Sequence, residues 1–304
     1  MSERKFYALG TAPQVPTRKR NQNGYFLRWD DQGFLFDPGE GTQRQMIYAS
    51  ISAHEITKIF ITHFHGDHCL GLPGILQRIS LDNVSHPVEV YFPASGMEYF
   101  NRMRQASIFH DRADIRPMPF KEAGVLFENE KISITTLPLD HTVDCWGYRL
   151  QERDGISFVP EKLKALGLEG PIVGQLKKEG SITVSGKQIS LEAVSVPKPG
   201  QSFAFILDTR VCDNAVRLAQ NVDLMVCEAT FLNEHRQEAH DFGHLTAAQA
   251  AKIAANAGAR WLTLTHFSQR YQDEEAFARE AKPLFEHVVC MKDGDIVEMP
   301  KRKT

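Results

Sequence analysis

Short hydrophobic runs recur along the chain and predict β-strands. Segments with apolar residues three or four positions apart lie between many of these runs and predict helices. Thr246, with Gln249 three residues on, is a candidate N-cap. Because strands and helices intermix, the pattern predicts a layered α/β fold. The strand-like runs are residues 5–9, 24–28, 34–37, 58–62, 88–92, 131–137, 202–208, 224–227 and 261–265, and the clearest helices begin near Gln43, Gly71, Ala94, Asp213, Thr246 and Glu274.

Residues 154–200 do not continue this alternation of strand-like and helix-like segments, because glycine, proline and lysine accumulate there and no regular hydrophobic periodicity is present. The segment is too long to be a connecting loop in a compact domain, so it is either a functional excursion or a small appendage. An α/β sandwich of 304 residues is routinely one domain. We therefore expect a single domain over residues 1–304, with an insertion at 154–200.

Composition narrows the class of protein. Hydrophobic residues at 42% and charged residues at 24% are ordinary for a soluble enzyme, and no stretch predicts membrane association. The N-terminus lacks the apolar core of a signal peptide, so we expect a cytoplasmic location. A formal net charge of −3 argues against indiscriminate coating of nucleic acid but permits local basic patches such as residues 18–20 and 301–303. The five cysteines have no paired spacing, which indicates reduced thiols.

The strongest chemical signal is the sequence Thr62-His63-Phe64-His65-Gly66-Asp67-His68, which follows a predicted strand and precedes a predicted helix. Four side chains able to bind metal can converge there without the backbone folding back on itself. His63 and His65 project together, whereas Asp67 and His68 project elsewhere, so the motif can serve two cations. A purely structural interpretation would have to accommodate three histidines and an aspartate side by side.

This H-x-H-x-D-H pattern resembles the signature of the metallo-β-lactamase superfamily. The resemblance implies a four-layer αββα sandwich and three further ligands at strand ends, for which this chain offers His141, Asp208 and His266 in the right order. A carboxylate shared by two cations suits hydrolysis, because paired metals lower the pKa of a bridging water. In the superfamily the counterpart of Asp67 orients that water. The resemblance assigns His63, His65, His141 and Asp208 to one cation, and Asp67, His68, Asp208 and His266 to the other.

A second set of motifs, spread over most of the chain, resembles the ribonuclease Z family. The glycines of residues 36–43 let backbone N–H groups face an anion at a helix N-terminus, although a simple tight turn would also explain them. The resemblance implies an endoribonuclease that removes the 3′ trailer from precursor tRNA and leaves a 3′-hydroxyl. It also implies a homodimer and two divalent cations per subunit, zinc or alternatively manganese. The matching segments are residues 9–13, 16–21, 36–43, 71–74, 208–210, 228–230, 243–246 and 265–271.

The ribonuclease Z resemblance also assigns roles outside the metal ligands. The counterparts of Glu228 and His244 deliver a proton to the leaving 3′ oxygen, although His244 alone could be a surface or capping histidine. Arg270 could bind a phosphate oxygen or form a salt bridge. Residues 154–200 occupy the place of the family's tRNA-gripping arm, whose lysines outnumber its acids. The candidate substrate-binding residues are Thr17, Arg20, Asn21 and Arg270, with Gly170, Pro171, Lys177 and Lys178 in the arm.

Two departures from the family pattern leave the ligand set intact. Cys227 stands where the family usually has a histidine, and Leu207 stands where it usually has a glycine. We expect the first to alter support around the proton-donating pair and the second to crowd the metals. Two other functions stay open: hydrolysis of thioesters, lactones or small phosphodiesters at the same centre, and a non-catalytic RNA- or protein-binding subunit. Degenerate ligands would be typical of the latter, whereas all seven are present.

Overall fold

The computed structural model describes residues 3–184 and 186–301, so Arg302 and Lys303 of the C-terminal basic patch lie outside the described residues. The strands are β1 (Arg4–Gly10), β2 (Gly24–Trp29), β3 (Gln32–Phe36), β4 (Lys58–Phe60), β5 (Val88–Pro93), β6 (Ile115–Phe120), β7 (Gly124–Glu128), β8 (Ile132–Pro138), β9 (Trp146–Glu152), β10 (Gly155–Phe158), β11 (Ser181–Val184), β12 (Lys187–Ser190), β13 (Ser195–Lys198), β14 (Ser202–Ile206), β15 (Leu224–Glu228), β16 (Leu262–Thr265), β17 (Val288–Cys290) and β18 (Ile296–Glu298). The α-helices are α1 (Thr42–Tyr48), α2 (Gly66–Cys69), α3 (Leu72–Leu81), α4 (Met97–Arg104), α5 (Pro160–Ala165), α6 (Pro171–Glu179), α7 (Leu191–Val194), α8 (Asp213–Ala219), α9 (Arg236–Phe242), α10 (Ala247–Ala257) and α11 (Glu275–Ala281). Three short 3₁₀ helices lie at Ala53–Glu55, Ala94–Gly96 and Asn233–His235.

Two seven-stranded sheets form the body of the protein. The first has the order β18-β1-β2-β3-β4-β5-β6, and the second has the order β17-β16-β15-β14-β9-β8-β7. Strands β3 to β6 run parallel to one another, as do β14 to β17. Parallel neighbours end at the same edge of a sheet, so residues that follow these strands are brought together.

Alternation along the strands explains the layers. In β1, Phe6 packs between the sheets while Tyr7 packs beneath the helices of the first half. In β14, Phe205 packs between the sheets while Ile206 packs against helices α8 and α10. Successive side chains of a strand point to opposite faces, so each sheet is apolar on both sides. The observed order, helix–sheet–sheet–helix, confirms the predicted four-layer sandwich.

The arm, residues 154–200, is a folded unit rather than an irregular excursion. Strands β10 and β13 pair antiparallel as its stalk, and β11 and β12 form a hairpin beyond them. Leu168, Leu176, Ile182, Ile189 and Val194 form a small hydrophobic core of its own. The sequence pattern obscured these elements because each is only four to nine residues long. Within the described residues, no helix is long and apolar enough to cross a membrane.

Candidate metal centre and active site

The predicted ligands meet at one edge of the sandwich because each follows the end of a strand. His63 comes shortly after β4, His141 after β8, Asp208 after β14 and His266 directly after β16. The helix α2 then begins at Gly66, so that Asp67 and His68 lie in its first turn. Residues far apart in the chain are thereby gathered at the carboxyl ends of both sheets, as the resemblance to the superfamily implied.

The first ligand group consists of His63, His65, His141 and Asp208, whose donor atoms all lie within 4.8 Å of one another. His63 Nε2 lies 2.9 Å from His65 Nδ1 and 3.6 Å from Asp208 Oδ2. His141 Nε2 lies 3.3 Å from His65 Nδ1 and 3.8 Å from the same Asp208 oxygen. Three nitrogens and one carboxylate oxygen therefore converge on a single point.

The second ligand group consists of Asp67, His68, Asp208 and His266, again within 4.8 Å. His68 Nε2 lies 3.2 Å from both Asp67 Oδ2 and Asp208 Oδ2. His266 Nε2 lies 3.5 Å from Asp67 Oδ2 and 3.1 Å from Asp208 Oδ1. Asp208 belongs to both groups, so it would help to hold both cations.

Two buried atoms at this centre are suited to bind a cation. Among the described residues, Asp208 Oδ1 and His266 Nε2 have no hydrogen-bond partner, although both are shielded from solvent. Such orphaned polar atoms are costly unless something binds them. Burial opposes the protonation of His68, yet Asp208, Asp67 and Asp37 raise its pKa well above the usual value. The centre thus attracts positive charge, and its nitrogen and oxygen donors fit divalent first-row cations.

Outer hydrogen bonds fix the orientation of the histidine ligands. His68 Nδ1 donates to Asp37 Oδ2 at 2.8 Å, and His141 Nδ1 lies 2.8 Å from the Gly243 carbonyl oxygen. His266 Nδ1 lies 2.7 Å from the Thr230 hydroxyl. These contacts hold the other ring nitrogen toward the metal position. The sequence interpretation gave Asp37 and Thr230 no role; an acid placed directly after the buried strand β3 was the available signal for Asp37.

Three residues of the centre have left-handed backbone conformations. The φ angles are 42° at Asp37, 51° at Asp208 and 62° at His266. Residues other than glycine rarely adopt these angles, and such strain persists only where the surroundings enforce it. Each of the three follows a buried strand, so the turn aims its side chain across the carboxyl edge of the sheets.

Glu228 and His244 form a hydrogen-bonded pair beside the second ligand group. His244 Nδ1 lies 3.0 Å from Glu228 Oε1, which also accepts from the Thr209 backbone N–H at 2.8 Å. Thr230 donates its hydroxyl proton to Glu228 Oε2 at 2.6 Å. Burial opposes a charged imidazole, but the carboxylates of Glu228 and Asp208 outweigh it and raise the pKa of His244 to about 9. The contact with Glu228 therefore favours the protonated form of the His244 imidazole.

A cleft of about 380 Å³ opens onto this centre. Asp67, Asp208, His244 and His266 line its floor. Its walls include apolar and uncharged polar side chains, and among the described residues its lining contains no lysine or arginine. The wall residues are Pro13, Gln14, Val15, Thr142, Phe231, Phe242, Ser268 and Gln269.

The predicted phosphate contacts near the cleft are already engaged within the chain. Arg20 is only 4% exposed, and its Nη2 donates to the Tyr271 carbonyl oxygen at 2.6 Å. It thus ties the loop after β1 to the loop after β16, and this placement does not favour direct contact with substrate. Asn21 donates its side-chain N–H to the Glu40 carbonyl oxygen at 2.7 Å. The Thr17 hydroxyl accepts from the Arg20 backbone N–H at 2.9 Å.

Arg270 lies at the rim, partly exposed, where its Nη1 donates to Glu238 Oε2 at 2.8 Å. Its guanidinium also lies over the Phe231 ring, 5.0 Å from the centroid. The salt bridge left open as an alternative is therefore present. Because Phe231 also lines the cleft, Arg270 lies beside its rim.

The four candidate residues of the arm lie on or before α6. Gly170 caps this helix with φ 65° and ψ −140°, a conformation that favours glycine, and Pro171 occupies its first turn. Lys177 and Lys178 lie in the last turn and are exposed. The lysines are therefore available to a phosphate backbone, whereas Gly170 and Pro171 shape the helix that carries them.

The two departures from the family pattern are packed in hydrophobic cores. Leu207 lies in the core between the sheets, and Cys227 lies in the core beneath helices α8 and α10. Neither side chain lines the catalytic cleft. All five cysteines have free thiols, in agreement with their unpaired spacing.

Comparison with known proteins finds relatives in the metallo-β-lactamase superfamily that match this chain over its full length. Residues 17–154 match the family model described as the metallo-β-lactamase superfamily, and residues 178–267 match a β-lactamase superfamily domain. A ribonuclease Z from Nocardia farcinica is 51% identical over 305 residues, covering 100% of both chains. One from Chlamydia caviae is 45% identical, covering 99% of this chain and 98% of the relative.

A solved structure supports the same assignment in three dimensions. Human tRNase Z, short form, superimposes with a TM-score of 0.71 at 26% identity, covering 98% of this chain and 100% of that one. The converged ligands, the Glu228–His244 pair and this similarity agree. The chain belongs to the ribonuclease Z family of the metallo-β-lactamase superfamily.

Proposed function

We propose that this protein removes the 3′ trailer of precursor tRNA by hydrolysis assisted by two divalent cations, with Zn²⁺ as the native metal and Mn²⁺ as the alternative. Membership of the ribonuclease Z family makes the chain a tRNA 3′-processing endonuclease. One observation supports the proposal most strongly: seven metal-competent side chains form two adjacent ligand groups, and five of them line the same cleft as His244, namely His65, Asp67, His141, Asp208 and His266. When bound, the cations would lower the pKa of a water molecule and neutralise charge on the scissile phosphate.

Asp67 is suited to orient the attacking water. It lines the cleft, and its Oδ2 accepts from the Asn23 side-chain N–H at 3.2 Å. Burial would raise its pKa, but the charge of His68 holds the pKa of Asp67 well below the usual range. An ionised carboxylate can accept a hydrogen bond from the water and hold its proton as attack proceeds.

His244 is suited to protonate the leaving 3′ oxygen. Its Nδ1 is held by Glu228, so Nε2 is the atom left to face substrate. Proton donation matters most for a poor leaving group such as a ribose 3′ oxygen. Glu228, fully buried and held by Thr209 and Thr230, acts as a positioning residue that keeps the imidazole charged.

The arm supports a tRNA substrate rather than a small one. Its exposed lysines, Lys177 and Lys178, stand on a separate folded unit joined to the body by the two-stranded stalk of β10 and β13. Phosphate contacts of this kind position a nucleic acid without reading its sequence. We assign the arm as the exosite that grips the tRNA body away from the cleft.

A homodimer in the cytoplasm completes the proposal. Exposed apolar side chains accumulate on the helices over the first sheet, namely Ile47 and Tyr48 in α1, Leu81 in α3 and Tyr99 in α4. Helix α3 contacts both α1 and α4, so these side chains belong to one helical layer. Such an apolar surface is typical of a protein interface. Changing Ile47 and Tyr48 to lysine should yield a monomer by light scattering, whereas an unchanged mass would reject this surface.

The direct test offers purified, Zn²⁺-loaded protein a labelled precursor tRNA and, separately, thioester and lactone substrates. The proposal predicts cleavage of the RNA and no comparable turnover of the others. Intact RNA together with hydrolysis of a thioester would instead favour the rival hydrolase. Tight RNA binding without any hydrolysis would favour the non-catalytic subunit. An Asp208→Ala variant, which removes the bridging carboxylate, is the matched control for contaminating nucleases.

A further inference from the structure

A second cavity lies behind the catalytic cleft and shares His244 with it. The cavity has a volume of about 410 Å³ and lies among helices α8, α9 and α10. Val216 of α8, Arg236 and His240 of α9, and Lys252 of α10 contribute to its walls. His244 lines both spaces, so its imidazole lies at the boundary between the cleft and the second cavity.

Cations concentrate in this second cavity. Arg210, Arg236 and Lys252 line it, and Asp140 is the only acid among the described residues of its lining. Arg210 is held in place, since its Nε donates to the His240 carbonyl oxygen at 2.7 Å and its Nη1 pairs with Asp140 at 3.0 Å. Within the part of the chain that the structure describes, Arg236 and Lys252 take part in no salt bridge. Two uncompensated positive charges therefore face the cavity.

This distribution contrasts with the cleft, whose described lining has neither lysine nor arginine. The cations of the metal centre would neutralise the scissile phosphate, but the described lining of the cleft offers no lysine or arginine to the next phosphate along the strand. Binding of a polynucleotide is weaker when one of its phosphates lies in the cleft without a cation nearby. The second cavity supplies the missing positive charge directly beyond His244.

The proposed role of His244 sets the direction of the strand. The leaving 3′ oxygen belongs to the last nucleotide of the tRNA, so that nucleotide must lie against the imidazole. Its own 5′ phosphate is then the next charge on the side away from the metals. We propose that Arg236 and Lys252 bind this phosphate, so that the second cavity is a subsite for the upstream strand of the substrate. This inference rests on the proposed proton donation by His244.

Substitution of the two free cations tests the subsite. Arg236→Gln and Lys252→Gln should each lower kcat/KM for precursor tRNA about tenfold, mainly through KM. Each substitution should also make the slope of log kcat/KM against log salt concentration less steep by about 0.7 to 1. This is the contribution that one phosphate contact makes to the slope. Hydrolysis of bis(p-nitrophenyl) phosphate, which has no upstream phosphate, should stay at the wild-type rate. Lys282→Gln, an exposed lysine outside the cavity, is the matched control and should change neither reaction.

A chemically modified substrate identifies the phosphate itself. A precursor tRNA is assembled with a neutral methylphosphonate directly 5′ of the last tRNA nucleotide, and both compared RNAs carry a 2′-O-methyl group on the preceding nucleoside to prevent strand scission. The kcat/KM of the wild type should be about tenfold lower for the neutral substrate than for the unmodified one. The kcat/KM of the Arg236→Gln/Lys252→Gln variant should be nearly the same for both substrates. The subsite would be overturned if the substitutions and the methylphosphonate lowered kcat/KM independently, so that their effects multiplied. It would also be overturned if the variants had the wild-type kcat/KM on unmodified RNA. Cleavage by the wild type in the same assay tests the endonuclease function separately.

Discussion

The Nδ1 atom of His244 lies 3.0 Å from Oε1 of Glu228, a carboxylate that is fully buried. Because Glu228 raises the pKa of His244, its replacement by glutamine should lower that pKa. Protonated His244 is the acid, so activity is present below its pKa and is lost as the pH rises through it. Glu228→Gln should therefore move the alkaline limb of the pH–rate profile to lower pH. An alkaline limb at the wild-type position, with metal content and thermal unfolding unchanged, would contradict this role.

The leaving group gives an independent test of His244. A ribose 3′ oxygen needs a proton as it departs, whereas p-nitrophenolate leaves without one. His244→Ala should lower kcat on precursor tRNA by about 10²–10⁴-fold, the usual contribution of general acid catalysis. Its activity on bis(p-nitrophenyl) phosphate should fall far less. Equal losses on both substrates would assign His244 to the integrity of the metal centre instead.

Asp37 should support metal affinity although it is not itself a ligand. Its Oδ2 accepts from His68 Nδ1, and its two oxygens also accept from the Thr62 hydroxyl and backbone N–H. Asp37→Asn replaces one acceptor by a donor and should weaken Zn²⁺ binding by about 10–100-fold, as loss of such a partner typically does. Competition with a chromophoric chelator measures the affinity. Asp31→Asn, at an exposed aspartate, should leave it unchanged; equal affinities in all three proteins would refute the role of Asp37.

The arm can be excised at its stalk, because its two ends are adjacent. Val159 N–H donates to the Val194 carbonyl oxygen at 2.8 Å, and Phe158 pairs with Ser195. Replacing residues 159–194 with an Asn-Gly turn should close the stalk as a hairpin. This deletion should weaken precursor tRNA cleavage far more than hydrolysis of bis(p-nitrophenyl) phosphate.

A charge reversal in the intact arm controls for the deletion. Lys177→Glu/Lys178→Glu should raise KM for precursor tRNA while leaving the small diester unaffected, because both side chains are exposed and support no core. Glu169→Gln, another exposed change in the arm, should have little effect on either substrate. If the arm variants lose both activities in equal measure, the exosite assignment fails.

Much of the fold was predictable where local pattern and tertiary packing agree. The run at residues 202–208 became β14 because alternate side chains serve the two apolar faces of a buried sheet. Thr246 caps α10 with the predicted partner Gln249, since this motif is purely local. Strand β18 was not predicted, because its pairing with β1 joins the two ends of the chain. Strand β9 was also missed, although its apolar Trp146, Tyr148 and Leu150 stand at every second position, the pattern of a half-buried strand.

The residues of the site also divide into those that the sequence could predict and those that depend on tertiary contacts. The cluster from His63 to His68 was evident because its spacing alone concentrates donors, and His141, Asp208 and His266 were placed by the resemblance. Thr230 could not be assigned from sequence, since its link to both Glu228 and His266 exists only once two strands lie side by side. The burial of Arg20 was also hidden, because it depends on Tyr271, which lies 251 residues further along the chain.

The central claim is that the protein itself directs a water molecule at the phosphate and releases the tRNA 3′ oxygen. The chemical nature of the new ends tests this most directly. After cleavage of a precursor tRNA labelled at both termini, mass spectrometry should find a 3′-hydroxyl on the tRNA and a 5′-phosphate on the trailer. A 2′,3′-cyclic phosphate on the tRNA and a 5′-hydroxyl on the trailer would mean that the ribose 2′-hydroxyl attacked, which would contradict the hydrolytic mechanism.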